Sequence, residues 1–108
     1  MDAAEKAAMT LAKMQKNAEE VFKGYLNFTK TIGQSGPLDP KTQELILVAC
    51  SLMSQCDKCI SLHVQSAAGL GAEKEEILQA AMLAIAMGGS PKMMYMGDVF
   101  EEIEDLFD

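Results

Sequence analysis

The sequence predicts an all-α fold, a single-domain helical bundle of about five to six helices spanning residues 1–108. Two observations carry that reading. Proline occurs only at 37, 40 and 91, and glycines gather at 33/36, 69/71 and 88/89. Between those breaks apolar residues recur three and four apart, the helical period, and not in the strict alternation of a strand. A chain of 108 residues with 49% hydrophobic and 23% charged residues is long enough for one core and too apolar for disorder.

The first segment repeats Ala4, Ala7, Leu11, Met14, Ala18, Val21, Tyr25, Phe28 and Ile32 in unbroken three-four spacing. It predicts one helix over about residues 3–30, with a frayed N-terminal end or a break near Gly24 as the alternative. A helix of that length is about 42 Å long against a globule about 34 Å across. Its end should overhang and be covered by subunit packing. Gly33-Gln-Ser-Gly36 then forms a flexible connector to the core, residues 37–105 or so.

Asp39-Pro40 supplies an N-cap followed by proline at the first helical position, so the second helix starts there. Its run LILVACSLM, residues 45–53, is apolar all round, as in a helix buried on most sides. A break near Gln55 leads into a third helix from about Cys56 to Ala68, stopped by Gly69-Leu-Gly71. Glu73, Glu75 and Glu76 favour the positive end of a fourth helix over 73–87. Ser90-Pro91 caps a fifth, with Met93, Met96, Val99, Phe100, Ile103 and Phe107 on one face, and EEIEDLFD leaves a solvated acidic tail. The nine methionines, densest at Met93-Met94-Tyr-Met96, are expected to fill cores and subunit contacts.

Charge excludes some functions. Sixteen acids against nine bases give −7, with no basic stretch, which argues against nucleic acid and anionic membrane surfaces as partners. The longest nearly uncharged stretch, 77–90, has 14 residues and is too short to span a bilayer. The N-terminus lacks the pattern of a secretory signal, so a reducing cytoplasm is the expected compartment. In that setting three cysteines point to reactive chemistry, not to a structural disulfide framework.

The chemistry concentrates in Cys56-Asp-Lys-Cys59-Ile-Ser-Leu-His63. Positions three and four apart share a helix face, so both sulfurs and the imidazole point one way. At helical spacing the α-carbons of 56 and 59 lie about 5 to 6 Å apart, within the range that a disulfide accepts. A helix N-terminus favours thiolate, and His63, one turn beyond Cys59, is placed to take its proton. Cys56, nearer the helix end, is expected to meet the external substrate, with Cys59 activating and resolving it. If the second and third helices fold back as a hairpin pivoting near Cys56, Glu44 overshoots His63 by about 7.5 Å, a distance that a water can bridge. Zinc on Cys56, Cys59 and His63 would need Cys50 or a carboxylate as fourth ligand. Cys50 itself is expected to be a packed core cysteine.

Glu44, eleven residues, Cys56-x-x-Cys59, three residues and His63 resemble the active-site signature of the alkyl hydroperoxidase D-like proteins within the carboxymuconolactone decarboxylase family. LDPKTQELILVA before the cysteines and AAGLGAEKEEILQAAMLAIAMGGSP after them are similar to that family as well, and the resemblance covers about residues 20–105. It implies a helical subunit assembled into trimers or hexamers, whose dithiol reduces organic peroxides or a partner disulfide. In that scheme the Glu44–His63 relay ionises Cys59, Cys56 and Cys59 close a disulfide in turnover, and an external dithiol reopens it without a bound cofactor. The peroxidase branch draws its reducing power from a lipoyl-bearing protein and itself serves a peroxiredoxin; a thioredoxin-like donor fits the same chemistry. Lys58 departs from that branch, which often places histidine before the second cysteine. The rivals are lactone decarboxylation, as in the family's namesake, and a non-catalytic redox-sensing or zinc-binding module.

Overall fold

A computed structural model describes residues 1–107, and every described element is helical. The last residue of the acidic tail, Asp108, lies outside the described residues. The elements are α1 (Ala3–Asn17), α2 (Glu19–Gly33), α3 (Pro40–Met53), α4 (Asp57–Gly69), α5 (Lys74–Gly88), the single turn α6 (Ser90–Met93) and α7 (Met96–Phe107).

The expected single N-terminal helix is two helices, and the break falls at Ala18, not at Gly24. Ala18 leaves helical geometry with φ −145° and ψ 54°, and its N–H still donates to the Met14 carbonyl. The local chemistry accounts for the break. Asn17 turns its amide back onto the Lys13 carbonyl at 2.8 Å, offering the backbone a competing partner. Lys16 sits in the last turn of α1 and Glu19 and Glu20 in the first turn of α2, each sign matching the dipole end it occupies.

The other boundaries follow their caps. The Asp39 carboxylate accepts from the Thr42 N–H at 2.7 Å, which holds that carboxyl below its usual pKa. Pro40 takes the first helical position. At the end of α4 Gly71 adopts φ 94°, and the Ala72 and Gly71 N–H groups donate to the Ala67 and Ala68 carbonyls. That paired arrangement is the Schellman stop, in which only glycine takes the left-handed residue without strain. At the head of α5 the Glu76 carboxylate reaches back to the Glu73 N–H at 2.9 Å. It also meets Lys41 of α3 at 3.2 Å, and these contacts lower the Glu76 pKa, the backbone hydrogen bond foremost.

The core lies where α3, α4, α5 and α7 meet. Val48 and Leu52 of α3, Ile60 and Val64 of α4, Ile77 and Ala81 of α5, and Val99 of α7 have no exposed surface. Helix α1 lies against α4, and Ala7 is its buried residue. Helix α2 packs mainly on α1 and buries Phe22, while Gly33 at its end accepts a hydrogen bond from the Gln43 side chain of α3 at 2.9 Å.

Two expectations about burial are corrected. The apolar run of α3, expected to be buried on most sides, leaves one face without a neighbouring helix, and the apolar run of α5 does the same. Ile46 and Met53 of α3 and Leu83 and Met87 of α5 are exposed there. Methionine does not fill this subunit's core either: Met96 alone of the nine is buried.

Candidate functional site

The site is built on the turn between α3 and α4. Gln55 takes the left-handed conformation with φ 53°, and the N–H groups of Cys56 and Gln55 donate to the carbonyls of Ser51 and Leu52. This second Schellman stop reverses the chain in three residues and delivers Cys56 directly to the N-cap of α4. Gln55 is also held from outside, its side-chain carbonyl accepting from the Lys92 ammonium at 2.6 Å.

Cys56 and Cys59 form a disulfide with their α-carbons 5.2 Å apart, the spacing expected for positions three apart at the start of a helix. The Cys56 sulfur accepts the Cys59 N–H at 3.2 Å and so serves as the cap of α4. Both cysteines are half-buried, accessible to a small reagent without lying fully in water. Lys58 between them is exposed, with its ammonium 3.9 Å from the Asp57 carboxylate.

Glu44 and His63 meet directly, with Glu44 Oε2 2.7 Å from His63 Nδ1. The expected water bridge is unnecessary. α3 ends at Met53 and α4 begins at Asp57, so the hairpin pivots at 55 and the residue level with His63 is 47. Glu44 then lies about one helical turn beyond, roughly 4.5 Å along the axis, and two long side chains close that gap. A carboxylate on Nδ1 fixes the ring's orientation and leaves Nε2 as its free basic nitrogen. About a fifth of each side chain is exposed, enough shelter for the pair to act as more than a surface contact.

The structure thus pairs the four residues singled out in the sequence two by two: Cys56 with Cys59 at the head of α4, and His63, one turn along α4, with Glu44 of α3. Cys50 is not among them. Expected in the core, it is exposed one turn before the end of α3, on the face that lacks a neighbouring helix. Among the described residues no three His, Cys, Asp or Glu side chains gather as a metal site.

A second polar cluster was not anticipated. Glu102, read from the sequence as part of the solvated tail, is 9% exposed. Its carboxylate accepts from the Ser61 hydroxyl and, at 3.2 Å, from the Gln65 amide. The signal was available: Glu102 follows Val99 by three and precedes Ile103, which places it on the buried face of α7. The network pins α7 to α4 at the residue midway between Cys59 and His63. One turn earlier, burial raises the Asp98 pKa, with the charges of Asp57 and Glu102 adding to the effect.

Comparison with known proteins settles the family. The family model for the carboxymuconolactone decarboxylase family matches residues 19–102. The chain belongs to the carboxymuconolactone decarboxylase family. It is 33% identical over 82 residues to an uncharacterized protein of the cox locus of Paracoccus denitrificans, covering 76% of this chain and 74% of that one. An uncharacterized protein of Cupriavidus necator is 33% identical over 85 residues, covering 79% and 73%. Among solved structures, a carboxymuconolactone decarboxylase family protein from Legionella pneumophila superposes with a TM-score of 0.88 at 33% identity, covering 98% of this chain and 95% of that one. A family protein from Thermotoga maritima, for which a part in antioxidative response has been suggested, superposes at 0.81 with 28% identity, covering 97% and 90%. Family membership agrees with the resemblance read from Glu44, Cys56, Cys59 and His63. No helix among the described residues is long and apolar enough to cross a membrane.

Proposed function

We propose that this protein is a thiol-dependent oxidoreductase whose Cys56–Cys59 dithiol reduces organic hydroperoxides or a partner disulfide. The observation that carries the reading is the 2.7 Å contact of Glu44 on α3 with His63, which lies on the helix that both cysteines open. A carboxylate-oriented imidazole one turn from a thiol is the arrangement that activates a sulfur nucleophile. Lactone decarboxylation, the namesake chemistry, has no use for a redox dithiol.

In the reduced protein the Cys56 thiolate attacks the distal oxygen of the hydroperoxide. The O–O bond breaks, Cys56 becomes a sulfenic acid, and the alkoxide leaves as the alcohol by taking up, through water, the proton that the Cys56 thiol released on ionising. His63 Nε2 takes the proton of Cys59, and Glu44 stabilises the imidazolium. The Cys59 thiolate then attacks the Cys56 sulfur, the S–S bond forms, and the departing hydroxide recovers the proton as water. Two electrons have passed from two thiols to one peroxide. Rapid closure protects Cys56 from overoxidation, because the resolving sulfur is already on the same helix turn. An external dithiol, lipoyl-bearing or thioredoxin-like, restores the pair by exchange, and no bound cofactor enters the cycle. We place this activity in a cytoplasmic homo-oligomer, trimer or hexamer, as the family resemblance implies.

The test is consumption of cumene hydroperoxide with excess dithiothreitol by the wild type and by Cys56→Ser and Cys59→Ser. Multiple turnovers lost in both variants support the reading. Undiminished turnover in either, or none in the wild type with peroxide and with a disulfide substrate alike, overturns it.

A further inference from the structure

Two residues near the turn that carries Cys56 are locally unfavourable choices, and one side chain accounts for both. The stops of α3 and α4 share one hydrogen-bond pattern, but α4 places glycine, Gly71, at its left-handed position whereas α3 places Gln55 there at φ 53°. Glycine is the unstrained residue at such a position. What glutamine adds is its side-chain carbonyl, which accepts from the Lys92 ammonium at 2.6 Å, across 37 residues of sequence. The second departure is Gly88, which ends α5 after the run AAMLAIAM, where alanine is the better helix former. A Cβ on Gly88 would overlap Lys92 Cγ and lie 2.9 Å from Cε, so glycine leaves the bed on which the lysine stem rests. Lys92 is accordingly half-buried, its stem on the backbone of α5 and its ammonium on the turn before Cys56. Its own backbone is fixed in the single turn α6, where the Gly89 carbonyl accepts from the N–H groups of Lys92 and Met93.

We propose that Lys92 is a positioning residue for the dithiol, strapping the α3–α4 turn to α5 through Gln55 and so keeping Cys56 within reach of Cys59. The proposal rests on the thiol oxidoreductase reading above and deepens it. Cys56 follows Gln55 directly and its N–H donates to the Ser51 carbonyl, so the conformation of Gln55 sets where the first sulfur stands. In the oxidised protein the disulfide itself holds that place. In the reduced protein that bond is gone, and the freedom of the turn decides how often the two sulfurs meet. A strapped turn therefore favours disulfide closure both in rate and at equilibrium. Lys92 acts through Gln55 and not on a reacting atom.

The test is the equilibrium of the full chain with glutathione, read from the mass of the Cys56–Cys59 peptide after alkylation. One protein dithiol and one glutathione disulfide exchange to one Cys56–Cys59 bridge and two glutathione thiols, so the constant reports how readily the sulfurs meet. Lys92→Met and Gln55→Met are each expected to lower it about two- to fivefold, the range of an exposed charged contact, with helical circular dichroism unchanged. Gln55→Met keeps the charge and loses the tie, which separates the strap from the field of an ammonium. The double variant should lose no more than either single one. Lys92→Arg, which keeps the donor, should restore the constant. Gly88→Ala, which displaces the stem, should lower it too, but not in a Lys92→Ala background. After excess peroxide Lys92→Met should carry more sulfinic acid on Cys56, a gain of about 32 Da, because the sulfenic acid waits longer for Cys59. A bridge as stable in Lys92→Met and Gln55→Met as in the wild type overturns the strap and leaves the dithiol reading standing. A loss in Lys92→Met alone assigns the effect to charge and overturns the strap as well. A wild type that forms no reversible bridge sinks both readings.

Discussion

Replacing Glu44 with glutamine removes a charge and keeps the shape. At 2.7 Å from His63 Nδ1 the carboxylate makes a charge-assisted hydrogen bond when the imidazole takes the thiol proton. Such bonds are worth about 1.5–3 kcal/mol, against about 0.5–1.5 for a neutral pair. The residual fifth of exposure places this pair toward the lower end, so the substitution should withdraw about 1 to 1.5 kcal/mol from the imidazolium. Since about 1.4 kcal/mol is tenfold in rate, disulfide closure should slow by roughly five- to tenfold. The assay is rapid-quench alkylation of pre-reduced protein after one equivalent of cumene hydroperoxide, following the appearance of the Cys56–Cys59 bridge. Glu44→Asp, which retains the charge, should lose less than Glu44→Gln. If Glu44→Gln closes its bridge within twofold of the wild-type rate across neutral pH, the carboxylate does not support the proton transfer assigned to His63.

Three further outcomes follow from the same geometry. Ser61→Ala leaves one oxygen of the buried Glu102 carboxylate without its donor, which should cost about 1–3 kcal/mol of stability in urea unfolding. An unchanged midpoint would mean that water already satisfies that oxygen. Gly71→Ala forces a Cβ into φ 94°, and should cost about 1–2 kcal/mol although nothing obstructs the Cβ itself. An equally stable variant would show that the turn relaxes. Asp98 has its pKa raised above 3.8 in the folded protein by burial, then by Asp57 and Glu102. The folded state therefore holds its proton more tightly, and stability falls as pH rises from 3.8 through the raised value. Asp98→Asn should accordingly raise the melting temperature at neutral pH, with the gain shrinking as pH approaches 3.8. A gain independent of pH would assign the effect to packing.

What the sequence showed depended on how local the signal was. Asp39-Pro40, Gly69-Leu-Gly71 and Glu73 to Glu76 set their helix ends through contacts within four residues, and those ends stand where expected. The arrangement of the candidate residues was legible in part, because helical spacing alone brings Cys56, Cys59 and His63 to one face. The Glu44 contact needed the pivot of the hairpin, and placing that pivot at 56 instead of 55 added about 3 Å, just over half a turn, to the separation. The break at Ala18 was hidden by an apolar seam that runs on through it, although the lysines before and the glutamates after marked two dipole ends. Glu102 was taken for a solvent-facing acid because its neighbours in sequence are acids. Its neighbours in space are Ser61 and Gln65 on another helix, and no local pattern encodes them. The exposed faces of α3 and α5, Cys50 among them, illustrate the opposite limit. Apolar character shows that a surface needs cover and does not say which chain provides it.

The most direct test of the dithiol account is the mass of the pre-reduced protein after one equivalent of cumene hydroperoxide. The wild type should lose about 2 Da, with peptides joining Cys56 to Cys59, while Cys59→Ser should gain about 16 Da on Cys56 as the trapped sulfenic acid. A wild type that keeps both thiols, or a Cys59→Ser protein that reacts with peroxide only at Cys50, would contradict it.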